Sequence, residues 1–188
     1  MATAVTANSK TQTTANRSVP MHTVTDRFVP NVENDASYAS GTGSGQVDEV
    51  WTSSATVADG VFVNLDLNAL DQLDDDGVTI RSTINFANIK LIQVKNVTAG
   101  ATGYLTVGGG TDAGSAADAW AGVTTAFLTD ASIIALPTPN SATNDMSVFK
   151  WTSYVGGTVT GAGAADILCL GGVTATQTYE IIIVGVAT

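Results

Sequence analysis

At 188 residues, 44% of them hydrophobic but only 6% aromatic and 13% charged, the chain is long enough for one domain with a real core and too short for two comfortable ones. Its net charge of −10 is uneven: residues 1–30 hold Lys10, Arg17 and Arg27 against Asp26, giving +2, while the other 158 hold 4 bases and 16 acids, giving −12. So acidic a body repels phosphate and gains nothing from counterion release, which argues against a nucleic-acid partner.

No run approaches the roughly 18 apolar residues a membrane span requires, and no apolar signal segment opens the chain, so the expectation is a protein made in the cytoplasm with no membrane partner. The single Cys169 excludes an intrachain disulfide; within Asp166-Ile167-Leu168-Cys169-Leu170 it reads as a small buried hydrophobe.

Residues 1–45 are rich in Thr, Ala, Ser and Asn, and Pro20 and Pro30 argue against regular structure there. This stretch reads as an N-terminal arm, either disordered or extended over a neighbouring subunit. Ser40-Gly41-Thr42-Gly43-Ser44-Gly45 has the composition of a flexible joint, and a β domain is expected over 46–188.

Gln46 to Trp51 opens the strands, and Val61-Phe62-Val63-Asn64-Leu65-Asp66-Leu67 alternates with the period of two of a half-buried strand. Val78–Ser82 and Phe86–Val97 come next, the second with Ile89, Leu91 and Val94 set against Lys90, Gln93 and Lys95 and a break at Ile92 that predicts a bulge. Further strands are predicted at Tyr104–Val107, Ala126–Leu128, Ser132–Leu136, Ser147–Thr152, Ile167–Leu170 and Tyr179–Val186, separated by clusters such as Gly108-Gly109-Gly110, Pro137-Thr138-Pro139-Asn140 and Gly171-Gly172. Only Asn68–Leu73 and Ala113–Ala121 have room for a helical turn. Many short strands without intervening helices predict an all-β fold, an antiparallel β-sandwich or jelly roll.

Catalysis is hard to assemble from these residues. The only histidine, His22, lies in the arm, and Cys169 sits in a core-like strand, so no nucleophile has a base beside it. The run Asp71-Gln72-Leu73-Asp74-Asp75-Asp76-Gly77 places Asp74 and Asp76 where an EF-hand has ligands, but Gln72 and Thr83 fall at the first and twelfth positions, so a solvated turn is preferred to a divalent-cation site. Gly108-Gly109-Gly110-Thr111-Asp112 lacks the lysine of a phosphate loop. No enzyme activity, cofactor or metal is expected. Trp51 and Trp151 lie in strand patterns and are expected in the core; Trp120 lies between elements and is a contact candidate.

Three stretches carry a resemblance: Ala39-Ser40-Gly41-Thr42-Gly43-Ser44-Gly45-Gln46-Val47-Asp48 before Trp51, Phe86 to Asn96 leading to Leu105-Thr106-Val107-Gly108-Gly109, and Thr178-Tyr179-Glu180-Ile181-Ile182-Ile183-Val184-Gly185. Over residues 36–188 the chain resembles the decoration, or cement, proteins of tailed-bacteriophage heads. The Thr129–Met146 segment, with Pro137 and Pro139, departs from that pattern. The resemblance implies a jelly-roll-like homotrimer or other cyclic oligomer on the virion surface, with the major capsid protein as partner. Arg17, Arg27 and Phe28 of the arm, with Trp120, are the expected interface residues. Deletion of residues 1–40 is then expected to weaken docking and leave a folded oligomer. The alternatives are a receptor- or carbohydrate-binding module of a tail fibre or spike, and a jelly-roll shell protein.

Overall fold

The computed structural model describes residues 7–14, 17–21, 24–28, 31–73, 80–98, 102–108, 134–138, 147–160 and 166–188. They form strands and no helix. In chain order these are β1 (Ala7–Thr14), β2 (Arg17–Met21), β3 (Val24–Phe28), β4 (Asn31–Ser40), β5 (Gln46–Val47), β6 (Glu49–Val57), β7 (Phe62–Asp66) and β8 (Leu70–Leu73). After them come β9 (Ile80–Ile84), β10 (Phe86–Asn96), β11 (Tyr104–Gly108), β12 (Ile134–Pro137), β13 (Ser147–Thr158), β14 (Ile167–Val173) and β15 (Gln177–Ala187).

Two four-stranded sheets make the body, in the orders β13-β10-β15-β6 and β12-β11-β14-β7, and every neighbouring pair in them is antiparallel. Among these strands the chain pairs first with last (β6 with β15), second with next to last (β7 with β14), and so inward through β10 with β13 to β11 with β12. That is one long antiparallel ribbon rolled up, and the β10–β15 and β11–β14 ladders close the roll. The body is therefore a jelly roll in strand order as well as in composition.

Period-two alternation explains the core. Phe86, Ile89, Ile92 and Val94 of β10 and Tyr179, Ile181 and Ile183 of β15 face Leu105 and Val107 of β11 and Leu168 and Leu170 of β14 in one buried cluster. Trp51 is buried in it and Trp151 packs against its rim, as the strand pattern predicted. Cys169 is buried within β14. The β8–β9 hairpin brings Leu70 and Ile84 into the same cluster and is pinned by a 2.9 Å bond from Trp51 Nε1 to the Asp71 carbonyl.

A buried polar knot joins the sheets. Asn96, at the end of β10, donates to Gln177 Oε1 (2.9 Å) in its own sheet and to the carbonyl of Leu136 (3.0 Å) in the other, and neither Asn96 nor Gln177 is exposed.

Several local expectations are corrected. Asn68–Leu73 is a turn followed by β8, because Leu70 is needed in the core and an extended backbone delivers it there. Gly171 and Gly172 do not end a strand but continue β14, where Phe62 lies across Gly171 and leaves no space for a Cβ. Pro20 sits within β2, opposite Thr25; a two-stranded ribbon has two outer edges, on which a missing N–H costs no ladder bond. The predicted strand at Ala126–Leu128 and the helical turn at Ala113–Ala121 lie outside the described residues.

A bulge is present in β10, but at Lys90 and not at Ile92, where the break in alternation placed it, and its position selects which side chains leave the core. It falls at Lys90, between Ile89 and Leu91, so that Leu91 faces away from the core while Ile89, Ile92 and Val94 face into it. Opposite Lys90, β13 runs from Thr152, paired with Leu91, to Gly157, paired with Ile89, so Ser153-Tyr154-Val155-Gly156 protrudes from the sheet edge as a finger.

Candidate interaction interface

The arm is a β-ribbon. Paired residue numbers sum to 45 from Ala7 with Tyr38 to Thr14 with Asn31 in β1–β4, and again from Arg17 with Phe28 to Met21 with Val24 in β2–β3, so both hairpin segments share one register. Strand periodicity turns that register into two unlike faces. Register places Val19, Met21, Val24 and Phe28 together in β2–β3, with Arg17 and Asp26 among them, and Val32, Ala36 and Tyr38 together in β1–β4, with Ser9, Thr11, Thr13 and Asn34 among them. The opposite faces carry Lys10, Gln12, Glu33 and Asp35, and Ser18, Thr25 and Arg27.

Of the expected interface residues, the register therefore pairs Arg17 with Phe28 on the more apolar face and sets Arg27 opposite Ser18 on the polar one. Trp120 lies outside the described residues. Ordinary chain composition hid the ribbon, because Thr, Ser and Asn dilute its apolar residues; the signal that finds it is the switch of apolar positions from odd numbers in β2 to even numbers in β3.

The arm joins the body at Tyr38. Its ring is buried with Val47, Leu91 and Val184, flanked by Val50, in a second apolar cluster on the outer face of the β13-β10-β15-β6 sheet. Its hydroxyl donates to the Lys90 carbonyl at 2.9 Å. Leu91 has this role only because the bulge at Lys90 reverses its facing. Desolvation pushes the Tyr38 phenol above its ordinary value, against a smaller lowering from the Ser153 carbonyl.

The glycine-rich joint is held in place as well as flexible in composition. Ala39 N donates to Gly45 O (3.0 Å), Gly41 N to Val47 O (2.9 Å) and Gly45 N to Tyr154 O (2.9 Å), so the joint bonds to the finger. The finger itself is braced from beneath. Lys90 is 3% exposed and its ammonium donates to the Val155 carbonyl; Gly156 N donates to Ser153 Oγ at 2.8 Å. Gly156 has φ of +94°, and a side chain there would run into Asn88 and Lys90, so this corner requires glycine. At the tip, Tyr154 and Val155 are 68% and 69% exposed.

Burial lowers the proton affinity of the Lys90 ammonium. The folded protein then binds this proton less tightly than the unfolded chain, so the burden is fully present below the folded pKa and is relieved as pH rises toward the unfolded value of about 10.4. The stability difference between wild type and Lys90→Met is expected to shift in favour of wild type as pH is raised toward that value. Paired denaturation curves across the alkaline range measure it, and a difference that moves the other way contradicts the burial argument.

Below the second cluster, the outer face of the sheet continues as Thr52, Ile182, Gln93 and Lys150, then Ser54, Glu180, Lys95 and Val148. Ile182 and Val148 are 39% and 37% exposed, and Lys95 pairs with Glu180 at 3.6 Å. A shallow hollow of about 440 Å³ opens among Thr52, Ser54, Glu180 and Ile182 beside edge strand β6.

Among the described residues, no three histidine, cysteine or acidic side chains gather in a way that would hold a metal ion, and no helix is long and apolar enough to cross a membrane. Asp71 is in β8, where Oδ1 accepts from Thr83 Oγ1 at 2.9 Å; Asp74–Asp76 lie outside the described residues. The chain matches no family model, no curated protein and no solved structure.

Proposed function

We propose that this chain is a virion structural protein that decorates or cements a capsid surface as a homo-oligomer, working by protein contact and not by catalysis. The observation that carries the reading is the amphipathic hairpin arm in a single register, rooted by Tyr38 in the outer face of a jelly-roll body. A ribbon with one more apolar face and open strand edges is suited to lie along another protein, where main-chain bonds and alternate side chains contribute together. The joint at residues 41–45 is hydrogen-bonded to Val47 and to Tyr154, which ties the root of the ribbon to the body. Repetition of such contacts over a lattice turns weak single attachments into firm ones.

The partners in this reading are further copies of the chain and the major capsid protein, and the site of action is the virion surface. Jelly-roll strand order is also used by viral shells and by lectin domains, which keeps a shell protein as the second reading. The test is to incubate purified protein with particles that lack it and to sediment them. Co-sedimentation is expected. Closed particles on expression of this chain alone would favour the shell, and glycan binding without shell binding would favour a tail-fibre or spike module.

A further inference from the structure

We infer that the Tyr154-Val155 finger at one edge of the β13-β10-β15-β6 sheet inserts into the hollow at Ile182 and Glu180, by the opposite edge, on a second copy of this chain, joining copies head to tail. The inference rests on the homo-oligomer reading above and assigns its interface.

Two apolar side chains, each more than two-thirds exposed, are unusual tips for a braced loop. The backbone of the finger is held: Lys90 binds the Val155 carbonyl, Gly45 binds the Tyr154 carbonyl, Gly156 fixes the corner, and one side of the Tyr154 ring lies against Gly45 while most of its surface stays open. Such a stiff presentation leaves little entropy to be lost on docking, which is what an anchoring tyrosine requires.

The receiving surface is complementary in three respects. It lies on the same sheet at the far edge, so each copy offers a finger on one side and a hollow on the other, and head-to-tail contacts close into a ring where the rotation between copies allows. Ile182 provides an exposed apolar floor and the Glu180 carboxylate, on a side chain that is 56% exposed, an acceptor for the Tyr154 hydroxyl. The edges also differ in sign: β13 carries Lys150 and no acid, whereas β6 carries Glu49 and no base. Like-to-like pairing of either edge would forgo this match.

The experiment uses full-length protein and sedimentation velocity, with melting curves as the folding control. Tyr154→Ser combined with Val155→Ser removes the finger tip, and Ile182→Glu spoils the hollow; Ser54→Arg on its exposed rim replaces the latter if Ile182→Glu lowers the melt. Wild type is expected to sediment as a closed oligomer, and each variant alone as a monomer with at least tenfold weaker association and an unchanged melt. An equimolar mixture of finger and hollow variants retains one intact contact per pair and should give dimers and nothing larger. Variants that keep the wild-type size overturn the inference, as does a mixture that stays monomeric. Loss of particle attachment with the oligomer intact also overturns it, and assigns the finger to the shell instead. A monomeric wild type at every concentration overturns the homo-oligomer reading itself.

Discussion

Asn96→Ala is expected to lower folding stability by about 3–5 kcal/mol, since it opens a cavity and leaves buried acceptors without donors. Asn96 is fully buried and its amide is used on all sides: Nδ2 serves Gln177 Oε1 and the Leu136 carbonyl, while Oδ1 accepts from Thr98 N at 3.1 Å. Gln177 turns its own amide nitrogen to the Ala175 carbonyl at 3.1 Å, so no second donor stands ready for the vacated oxygens. The loss is measured by urea denaturation. Adding Gln177→Leu should cost less than the sum of the two single changes, because it removes the orphaned oxygen along with its former donor. A loss below about 1 kcal/mol for Asn96→Ala would mean that water takes over the vacated bonds.

This knot also shows why sequence reasoning reached the fold and missed its fastenings. Alternation in Val61–Leu67 is a local signal, and it located β7, whose Val63 and Leu65 pack against the core; β15 was located as the apolar run Tyr179–Val186 beyond a turn signal. The jelly-roll class came from the number and spacing of such segments. Asn96 and Gln177 lie 81 positions apart, and nothing local distinguishes a buried amide pair from two polar strand ends. The finger escaped for a related reason: the predicted strand stops at Thr152, and only the pairing of Thr152 with Leu91 and of Gly157 with Ile89 shows Ser153-Tyr154-Val155-Gly156 to be an excursion within one strand. A break in alternation was legible, but at Ile92; that the bulge lies at Lys90, and that Leu91 therefore faces outward to receive Tyr38, needed the partner strands. Composition misread the arm, because it counts residues without regard to which face of a ribbon they occupy.

Two truncations separate the arm's reach from its root. Removal of residues 1–36 retains Tyr38 over Leu91 and Val184, and is expected to leave the melting midpoint within a few degrees of the full chain. Removal of residues 1–44 takes Tyr38 away, uncovers those two side chains and ends the hydroxyl bond to the Lys90 carbonyl. The second cut should cost roughly 2–4 kcal/mol, by analogy with loss of a buried large side chain, and lower the midpoint by about 5–12 °C. Both cuts should abolish co-sedimentation with particles if the ribbon makes the attachment, since both remove β1, β2 and β3. A 1–36 truncation that still binds particles as the full chain does would move the attachment from the ribbon to the body. Equal melts for the two truncations would show that Tyr38 contributes nothing to the sheet it covers. Because attachment and melting respond to different residues, the pair distinguishes an arm that grips a partner from one that merely completes its own domain.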